Sequence, residues 1–555
     1  MSETTVNTSV ARASEADWRF LLPVGADRLD HLVLMGGSPD LEATLVELGV
    51  ARRITRTPRH GDTADAVVVL AGARESFEAA AQYVGPGGVL YAEVDRRARQ
   101  NWSLTPGRAS RRMRRLGLNP TTAYWVKPDF TDRQMYLPLD ALGAFRWYLD
   151  TLYRSRMVGS RGEPTTGHWV DGQLSRTVRA PLTAALRALA AHRNGLSAFA
   201  PCFAITAVRG DARLPAVIER ARLEGVPTGD ATVHVLLAHG RTEWNRIVFL
   251  LFDPDGSTPR AAVKIPRLTT FNEPNEWEHT MLHELGSTLG PSLRSSIPAS
   301  TLFWWNDLAV SAQTCVTGSS LDSRAGAGRA FEDLRLTAEW LAAFHQETTV
   351  GRMPARAWLR ERLVNHLCTE YAATYGLTSA EATLFDTLSR CVDAVGTDTV
   401  PIVWQHGDLW PPNVYRDRSR VGVIDWETAR RGPALVDLLS FVTHWAAAVD
   451  AKHTHASRLA HFQMLFCTGS AASSFVRAVH AEVAEYMTRV EILPSLLPFL
   501  LVYTFLEKAL EDPRRRARLT GVHAGNRREN LEAGYVGVLA SHAEALFAGR
   551  TFHGV

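Results

Sequence analysis

One segment, residues 404–438, constrains this chain more than any other. It places His406 and Asp408 on a tight turn around a glycine, and Asn413 follows Asp408 by five residues. A short apolar strand then ends in Asp425. Each residue alone has an ordinary structural role, because Asp commonly caps turns and a buried His is commonly only hydrogen-bonded. Their occurrence together in this order predicts a functional site.

This set of side chains suits phosphoryl transfer from ATP. That reaction needs one carboxylate to orient the acceptor hydroxyl and oxygen ligands to hold Mg²⁺ against the phosphates. Asp408 fits the first task. Asn413 and Asp425 fit the second, since Mg²⁺ prefers oxygen donors. The alternative for Asp425 is an ion pair with a residue such as Arg430.

The run HGDLWPPN, with IDWE beginning eleven residues after its asparagine, resembles the catalytic motifs of the aminoglycoside phosphotransferase family, which includes choline kinase-like and fructosamine kinase-like enzymes. The resemblance implies a protein-kinase-like fold of two lobes that uses ATP and Mg²⁺. It makes Asp408 the catalytic base, assigns Mg²⁺ binding to Asn413 and Asp425, and has His406 support the loop. It gives Asp437 a structural role in bracing that loop.

A nucleotide-binding lobe should precede the motif, and residues 235–267 fit one. They contain strand, loop, strand, turn and strand, which predicts an antiparallel meander. The loop with Gly240, Thr242 and Asn245 resembles the family's short phosphate-covering loop. Lys264 matches the family's lysine that contacts the α- and β-phosphates, and an exposed strand lysine is the alternative.

The helix predicted over residues 275–289 should supply a glutamate that pairs with Lys264. Glu276, Glu278 and Glu284 are the candidates. Glu278 is predicted, because leucines four and seven residues after it lie on the same helix face and match the family pattern.

The passage from residue 308 to residue 321 resembles the strand, hinge and helix between the two lobes of the family. The adenine edge is expected to meet backbone groups near Gln313 and Cys315, and Cys315 is expected to be an apolar lining group. His345 matches a frequent family position with a structural role.

The acceptor pocket is expected after residue 440, because substrate specificity in this family lies in the C-terminal helical insert. Acidic and aromatic groups there could hold a sugar or a cation, or could be ordinary helix surface and core. These residues are His444, Trp445, Glu482, Glu485, Tyr486 and Glu507.

The N-terminal part alternates strands with helices, which predicts a parallel sheet covered on both faces. Strands are predicted at 32–35, 66–70 and 89–94, and helices at 41–48 and 75–84. Residues 140–210 are expected to be mainly helical.

Residues 18–140 resemble a class I S-adenosylmethionine-dependent methyltransferase through VLMGGSPD, DAVVVL and PGGVLYAEV. The cofactor positions depart from that family: Gly36 and Gly37 are adjacent, and residues 51–56 offer arginines where a ribose-binding acid is expected. We therefore expect a structural or recruiting role without S-adenosylmethionine, with methyl transfer as the alternative. The arginines between 108 and 115 could attract a phosphate-bearing partner or form a solvated helix face.

Composition and charge argue against several other classes of function. The 555 residues carry a net charge of only +3, so the overall charge does not indicate nucleic-acid binding. Five scattered cysteines without a CxxC pair suit a reducing cytoplasm and argue against zinc. The N-terminus does not resemble a signal peptide, and the apolar run 492–506 is shorter than a membrane span and contains two prolines.

The expected organisation is a polar tail (1–20), a methyltransferase-like α/β domain with a helical extension (21–210), a kinase-like N-lobe (211–312) and a helical C-lobe (313–555). The expected function is ATP- and Mg²⁺-dependent phosphorylation of a hydroxyl on a sugar, an aminoglycoside-like compound or an amino alcohol. The alternatives are a bifunctional kinase and methyltransferase, and a pseudokinase-like scaffold. We expect a cytoplasmic protein with no nucleic-acid partner and no membrane span.

Overall fold

The computed structural model describes most of the chain and divides into two compact units. The described residues are 13–24, 29–74, 76–99, 101–151, 200–226, 233–238, 245–324, 329–467, 469, 473–520, 530–549 and 551. The first unit comprises residues 1–154, 166–279 and 299–315, and the second comprises 155–165, 280–298 and 316–555.

A long mixed sheet forms the centre of the first unit. Its strands are β1 (Leu29–Met35), β2 (Ala51–Thr55), β3 (Ala64–Val69), β4 (Val84–Asp95), β5 (Asn119–Asp129), β6 (Asp132–Pro138), β7 (Cys202–Val208), β8 (Val233–Leu237), β9 (Ile247–Phe252), β10 (Ala261–Ile265), β11 (Ser300–Trp305) and β12 (Leu308–Thr314). Within the described residues their order is β11-β12-β10-β9-β8-β6-β5-β7-β4-β3-β1-β2. The N-terminal strands and the predicted meander therefore share one sheet, joined where β6 pairs with β8.

Helices accompany this sheet. They are α1 (Leu41–Glu47), α2 (Phe77–Ala80), α3 (Pro106–Arg115), α4 (Leu142–Asp150), α5 (Ala216–Leu223) and, after β10, α6 (Glu273–Thr288), with 3-10 turns at Asp17–Leu21, Ala81–Tyr83 and Thr269–Phe271. Side chains of β1 alternate between two cores: Leu34 packs in one cluster with Leu41 of α1, and Val33 packs in the other with Phe77 of α2. The sheet is thus covered on both faces here, as expected of an α/β sheet.

Two features of the first unit differ from the sequence prediction. Strands β1 to β4 pair with one another in parallel, but β7 is antiparallel to both β4 and β5 and lies in a stretch expected to be helical. Residues 152–199, the centre of that stretch, lie outside the described part. The expected polar tail also differs: Asp17, Trp18 and Phe20 are buried, because they pack on the sheet and on Arg267.

The second unit is mainly helical. Its helices are α7 (Pro291–Arg294), α8 (Leu321–Arg324), α9 (Ala330–Glu347), α10 (Ala355–Trp358), α11 (Thr369–Tyr375), α12 (Ser379–Asp393), α13 (Val436–Val449), α14 (His455–Cys467), α15 (Ser474–Arg489), α16 (Leu497–Thr520), α17 (Leu531–Ala540) and α18 (Ala543–Phe547). A π-helical stretch, Leu359–Cys368, joins α10 to α11, and 3-10 turns lie at Pro411–Asn413 and Pro494–Leu496.

Two small sheets of the second unit support the motif segment. Their strands are β13 (Ser319–Ser320), β14 (Gly351–Pro354), β15 (Thr399–Gln405), β16 (Val414–Asp417), β17 (Arg420–Val423) and β18 (Arg430–Pro433), in the orders β13-β16-β17 and β14-β15-β18. The expected fold class is an α/β Rossmann-like domain followed by an α+β bilobal kinase-like domain with a largely helical C-lobe. The observed elements agree with it in giving an α/β part, a β-rich part and a largely helical C-terminal part.

The apolar run 492–506 includes the 3-10 turn Pro494–Leu496 and the first residues of α16, and it is largely buried in the core of the second unit. In the described part of the chain, no single helix has the length and hydropathy to cross a membrane. Two helical segments, Ser474–Arg489 and Pro494–Arg518, have that length and hydropathy only when taken together, and they are bent relative to each other.

Candidate active site

The turn after β15 carries His406, Gly407 and Asp408. Gly407 has φ +83°, and a Cβ added there would lie 2.3 Å from the carbonyl oxygen of Thr428, so only glycine fits. The backbone N–H of Asp408 donates to Nδ1 of His406 (3.2 Å), which makes Nε2 the protonated nitrogen that donates to the carbonyl of Ile424 (2.9 Å). His406 therefore supports the turn from inside the core.

Asp437 at the start of α13 braces this turn. Its Oδ2 accepts the N–H of His406 (2.7 Å) and its Oδ1 accepts the N–H of Gly407 (3.0 Å). Burial opposes ionisation of Asp437, but His345 beside it and the donors of His406 outweigh burial and lower the pKa of the carboxyl. The buried turn is thus held by a fixed negative charge.

Asp408 differs from its neighbours because 49% of its side chain remains exposed. Loss of hydration in the loop raises the pKa of its carboxyl, and the ammonium of Lys508 acts in the opposite direction. The loop therefore presents one accessible carboxylate on a rigid turn.

Asn413 and Asp425 lie next to each other through the backbone. The N–H of Ile424 donates to the carbonyl of Asn413 (3.0 Å), and the side-chain amide of Asn413 donates to the carbonyl of Asp408 (3.1 Å), which leaves its Oδ1 out of that bond. Asp425 has φ +72°, a conformation that Asp tolerates better than most residues. The described residues contain no cluster of three or more His, Cys, Asp or Glu side chains that could hold a metal. An amide oxygen plus a carboxylate fits Mg²⁺, which fills its other positions with phosphates and water.

Lys264 and Glu278 meet in the first unit. Lys264 on β10 donates from Nζ to Oε1 of Glu278 at 2.6 Å, and both side chains are buried. Glu284 instead lies 3.6 Å from Arg431. Of the candidate glutamates, Glu278 is thus the one that α6 brings to the lysine, since its side chain faces β10.

The other predicted nucleotide contacts are only partly described. Gly240 and Thr242 lie outside the described residues, and the carbonyl of Asn245 accepts a bond from Arg267 (3.0 Å). Gln313 is buried on β12 opposite Ala262. The N–H of Cys315 donates to the carbonyl of Arg260 (3.0 Å), and burial raises the pKa of its thiol to about 12. A thiol with that pKa is not a nucleophile at neutral pH.

A model of the phosphotransferase enzyme family (APH) matches residues 243–463, a range that includes Lys264, Glu278, Asp408, Asn413 and Asp425. Residues 243–463 are therefore similar in sequence to that family. The match covers neither the N-terminal strands nor α16. The methyltransferase resemblance of residues 18–140 therefore stays a prediction.

Several solved phosphotransferases are similar to this chain. Macrolide 2′-phosphotransferase from Brachybacterium faecium shares 16% identity over 61% of this chain and 98% of its own, with a TM-score of 0.34. A microcompartment-associated aminopropanol kinase shares 15% identity over 61% and 98%, with a TM-score of 0.37. An aminoglycoside phosphotransferase from Streptomyces rimosus, solved with ADP and streptomycin, shares 15% identity over 58% and 98%, with a TM-score of 0.31. A search of curated proteins found no match. Because these TM-scores are low, the similarity to the family rests on the sequence match over residues 243–463.

The residues suggested for acceptor binding in the phosphotransferase have varied surroundings. Tyr486 is a core residue whose hydroxyl contacts His345 and the N–H of Leu435, and Trp445 stacks on Phe475. His444 is buried, which lowers its pKa to about 3, so it is neutral.

The acidic candidates differ from one another. Glu507 pairs with Arg514 at 2.9 Å. Glu485 pairs with Arg489 one helical turn away, also at 2.9 Å. Partial burial raises the pKa of Glu482. Glu507 and Glu485 are thus each held in an ion pair with an arginine of their own helix.

Two residues near the predicted groups, Arg246 and Lys508, were not indicated by any sequence motif. Arg246 donates to Oε2 of Glu278 (2.8 Å) and to Asn275 (3.0 Å), so the glutamate holds two cations. Lys508 on α16 contacts the turn of Asp408. The composition could have drawn attention to Lys508, because lysine is rare in this chain: only four of its 61 basic residues are lysines.

Proposed function

We propose that this protein transfers the γ-phosphoryl group of ATP to a hydroxyl group of a small molecule. The observation that carries the proposal is the half-exposed carboxylate of Asp408 on a turn whose other polar groups are bonded inside the protein. The family match over residues 243–463 supports it, because it includes both the lysine–glutamate pair and this turn.

The Lys264–Glu278 pair supports nucleotide binding. A buried glutamate holds the ammonium in one place, and a fixed ammonium is suited to the α- and β-phosphates. Arg246 on the other oxygen of Glu278 fixes the carboxylate from its far side. Both contacts keep the lysine ordered before ATP binds.

Asp408 is suited to receive the proton of the acceptor hydroxyl. As the oxygen of that hydroxyl forms its bond to the γ-phosphorus, the bond to the β-phosphate oxygen breaks and ADP leaves. The carboxylate orients the hydroxyl and takes its proton. Orientation is supported by Asp437 and His406, which fix the backbone on either side of the turn.

Asn413 and Asp425 are the residues that would hold Mg²⁺. When bound, the metal neutralises charge on the phosphates. The carbonyl of Asn413 and the N–H of Ile424 keep these two side chains on adjacent backbone segments.

The alternative of methyl transfer is not favoured by the glycine turn after β1. Arg56 donates from Nη1 to the carbonyl of Gly36 (3.1 Å) and from Nη2 to that of Ser38 (2.7 Å), and its Nε donates to Glu42 (3.1 Å). A guanidinium therefore already binds two backbone carbonyls of this turn.

The test is a transfer assay with [γ-³²P]ATP and Mg²⁺ against a panel of sugars, aminoglycosides and amino alcohols. We expect labelled phosphate on one class of acceptor, and no label with Lys264→Met. The matched control is Lys452→Met, a partly exposed lysine after the end of α13. If wild-type protein labels no acceptor and does not consume ATP, the proposed function is wrong.

A further inference from the structure

Helix α16 brings a buried cation to the catalytic turn. Lys508 is 8% exposed in its side chain, and its Nζ donates to the carbonyl oxygen of Gly407. The same nitrogen donates to Oε2 of Glu511 at 3.0 Å and lies 3.7 Å from Oδ1 of Asp408. One ammonium thus contacts the backbone of the turn, its carboxylate and an acid of its own helix.

The position of this lysine is distinctive in two ways. It lies beyond residue 463, where the family match ends, so the family motifs do not account for it. The chain otherwise uses arginine almost throughout, with four lysines among 61 basic residues. An ammonium points its donors in three directions from one atom, whereas a guanidinium is a planar fork. The two hydrogen-bond acceptors of Lys508 and the nearby carboxylate of Asp408 surround one nitrogen, which matches an ammonium.

Lys508 is itself held in place. Glu511, its partner, also accepts from Arg430 on β18 (3.0 Å), and Arg430 lies 3.8 Å from Glu507. Glu507 accepts from Arg514 (2.9 Å). This chain of alternating charges, on α16 and β18, fixes the carboxylate of Glu511 to which the ammonium binds.

We propose that Lys508 is a positioning residue that fixes the Gly407 carbonyl and the Asp408 carboxylate in the geometry needed to receive the acceptor proton. The inference rests on the proposed function for its effect on turnover. Its effect on the turn does not depend on that function, because the contacts exist without substrate.

Asp437 and Lys508 hold the turn from two sides. Asp437 takes the N–H groups of His406 and Gly407, and Lys508 takes the carbonyl of Gly407. Removal of the ammonium leaves that carbonyl without this donor and leaves Asp408 free to rotate. A misplaced catalytic group costs roughly 100-fold in rate.

The first measurement is hydrogen exchange of the peptide spanning residues 402–414 in Lys508→Met, with Lys452→Met as the control. We expect exchange in this peptide to rise about tenfold in Lys508→Met, since a tenfold change is an ordinary response to one lost contact of about 1.4 kcal/mol. The control should match wild type. Equal exchange in wild type and Lys508→Met overturns the inference, whatever the turnover shows.

The second measurement separates positioning of the catalytic turn from loss of nucleotide binding. In Lys508→Met we expect kcat to fall roughly 100-fold while the KM for ATP stays within about twofold. Methylammonium should restore part of kcat to Lys508→Ala, because it can fill the space and charge that the substitution leaves. An unchanged kcat in Lys508→Met, or a parallel loss of ATP binding, contradicts a positioning role. Absence of transfer by wild-type protein instead refutes the proposed function and leaves the exchange result to decide this inference.

Discussion

Two glycine turns of this protein follow buried strands, and they are held in opposite ways. The turn after β1 has Gly36 at φ +82°, and a cation, Arg56, takes its carbonyl groups. The turn after β15 has Gly407 at φ +83°, and an anion, Asp437, takes its N–H groups. The second arrangement leaves the Asp408 side chain half exposed.

The comparison shows that a glycine turn provides a backbone conformation but does not by itself make a functional site. Glycine permits the backbone shape in both places, because it adopts positive φ without a Cβ penalty. The chemistry depends on which side chains occupy the polar groups of the turn. In the first turn the guanidinium itself lies over the backbone, and in the second the bracing groups lie in the core.

The largest expected loss of stability comes from adding a side chain at the glycine of the catalytic turn. Gly407→Ala should cost about 3 kcal/mol or more in the unfolding free energy of the second unit, because a Cβ would lie 2.3 Å from the Thr428 carbonyl at positive φ. Gly36→Ala is the matched change. Its nearest contacts are 3.2 Å, so we expect a loss of about 1–2 kcal/mol. Urea denaturation measures both, and equal losses would contradict the difference between the turns.

The second-largest loss of stability is expected when the anion that braces the catalytic turn is removed. Asp437→Asn should cost about 1–3 kcal/mol at pH 7, since the amide cannot accept from both N–H groups with full charge. Because the folded-state pKa of Asp437 is lowered, its contribution is complete above about pH 4 and is lost as the pH falls through that lowered pKa. The difference between wild type and variant should therefore shrink in acid. A difference that grows in acid would show that Asp437 is not the ionised brace.

The smallest effect concerns the N-terminal turn. Arg56→Ala should cost about 1 kcal/mol, because two hydrogen bonds to backbone carbonyls are lost at a partly exposed site. Arg52→Ala is the control, since its pair with Asp30 is exposed and should contribute almost nothing. Neither change should alter phosphoryl transfer. Calorimetry should detect no S-adenosylmethionine binding to wild-type protein, and millimolar binding would restore the methyltransferase alternative.

The sequence predicted the groups that lie close together along the chain. The catalytic turn and the strand that ends at Asp425 occupy one short segment, so their order alone predicted a site. The pairing of Lys264 with Glu278 was also predicted, because helix periodicity places Glu278 on the inner face of α6.

Contacts between distant residues could not be predicted in this way. Lys508 lies about 100 residues from the turn it contacts, and Asp17 lies 250 residues from Arg267. The antiparallel β7 was missed for the same reason, since pairing with β4 and β5 depends on tertiary packing and not on local pattern. Arg246 was missed because it lies just before β9 while Glu278 lies on α6. Residues from two separate elements have no characteristic spacing in the sequence.

The most direct test of the account is the rate of phosphoryl transfer by Asp408→Asn. We expect the rate to fall roughly 1000-fold, because the amide cannot take the proton, while ATP binding and thermal stability stay close to wild type. Asp417→Asn, an exposed aspartate at the end of β16, is the control and should keep full activity. Unchanged transfer by Asp408→Asn would contradict the account.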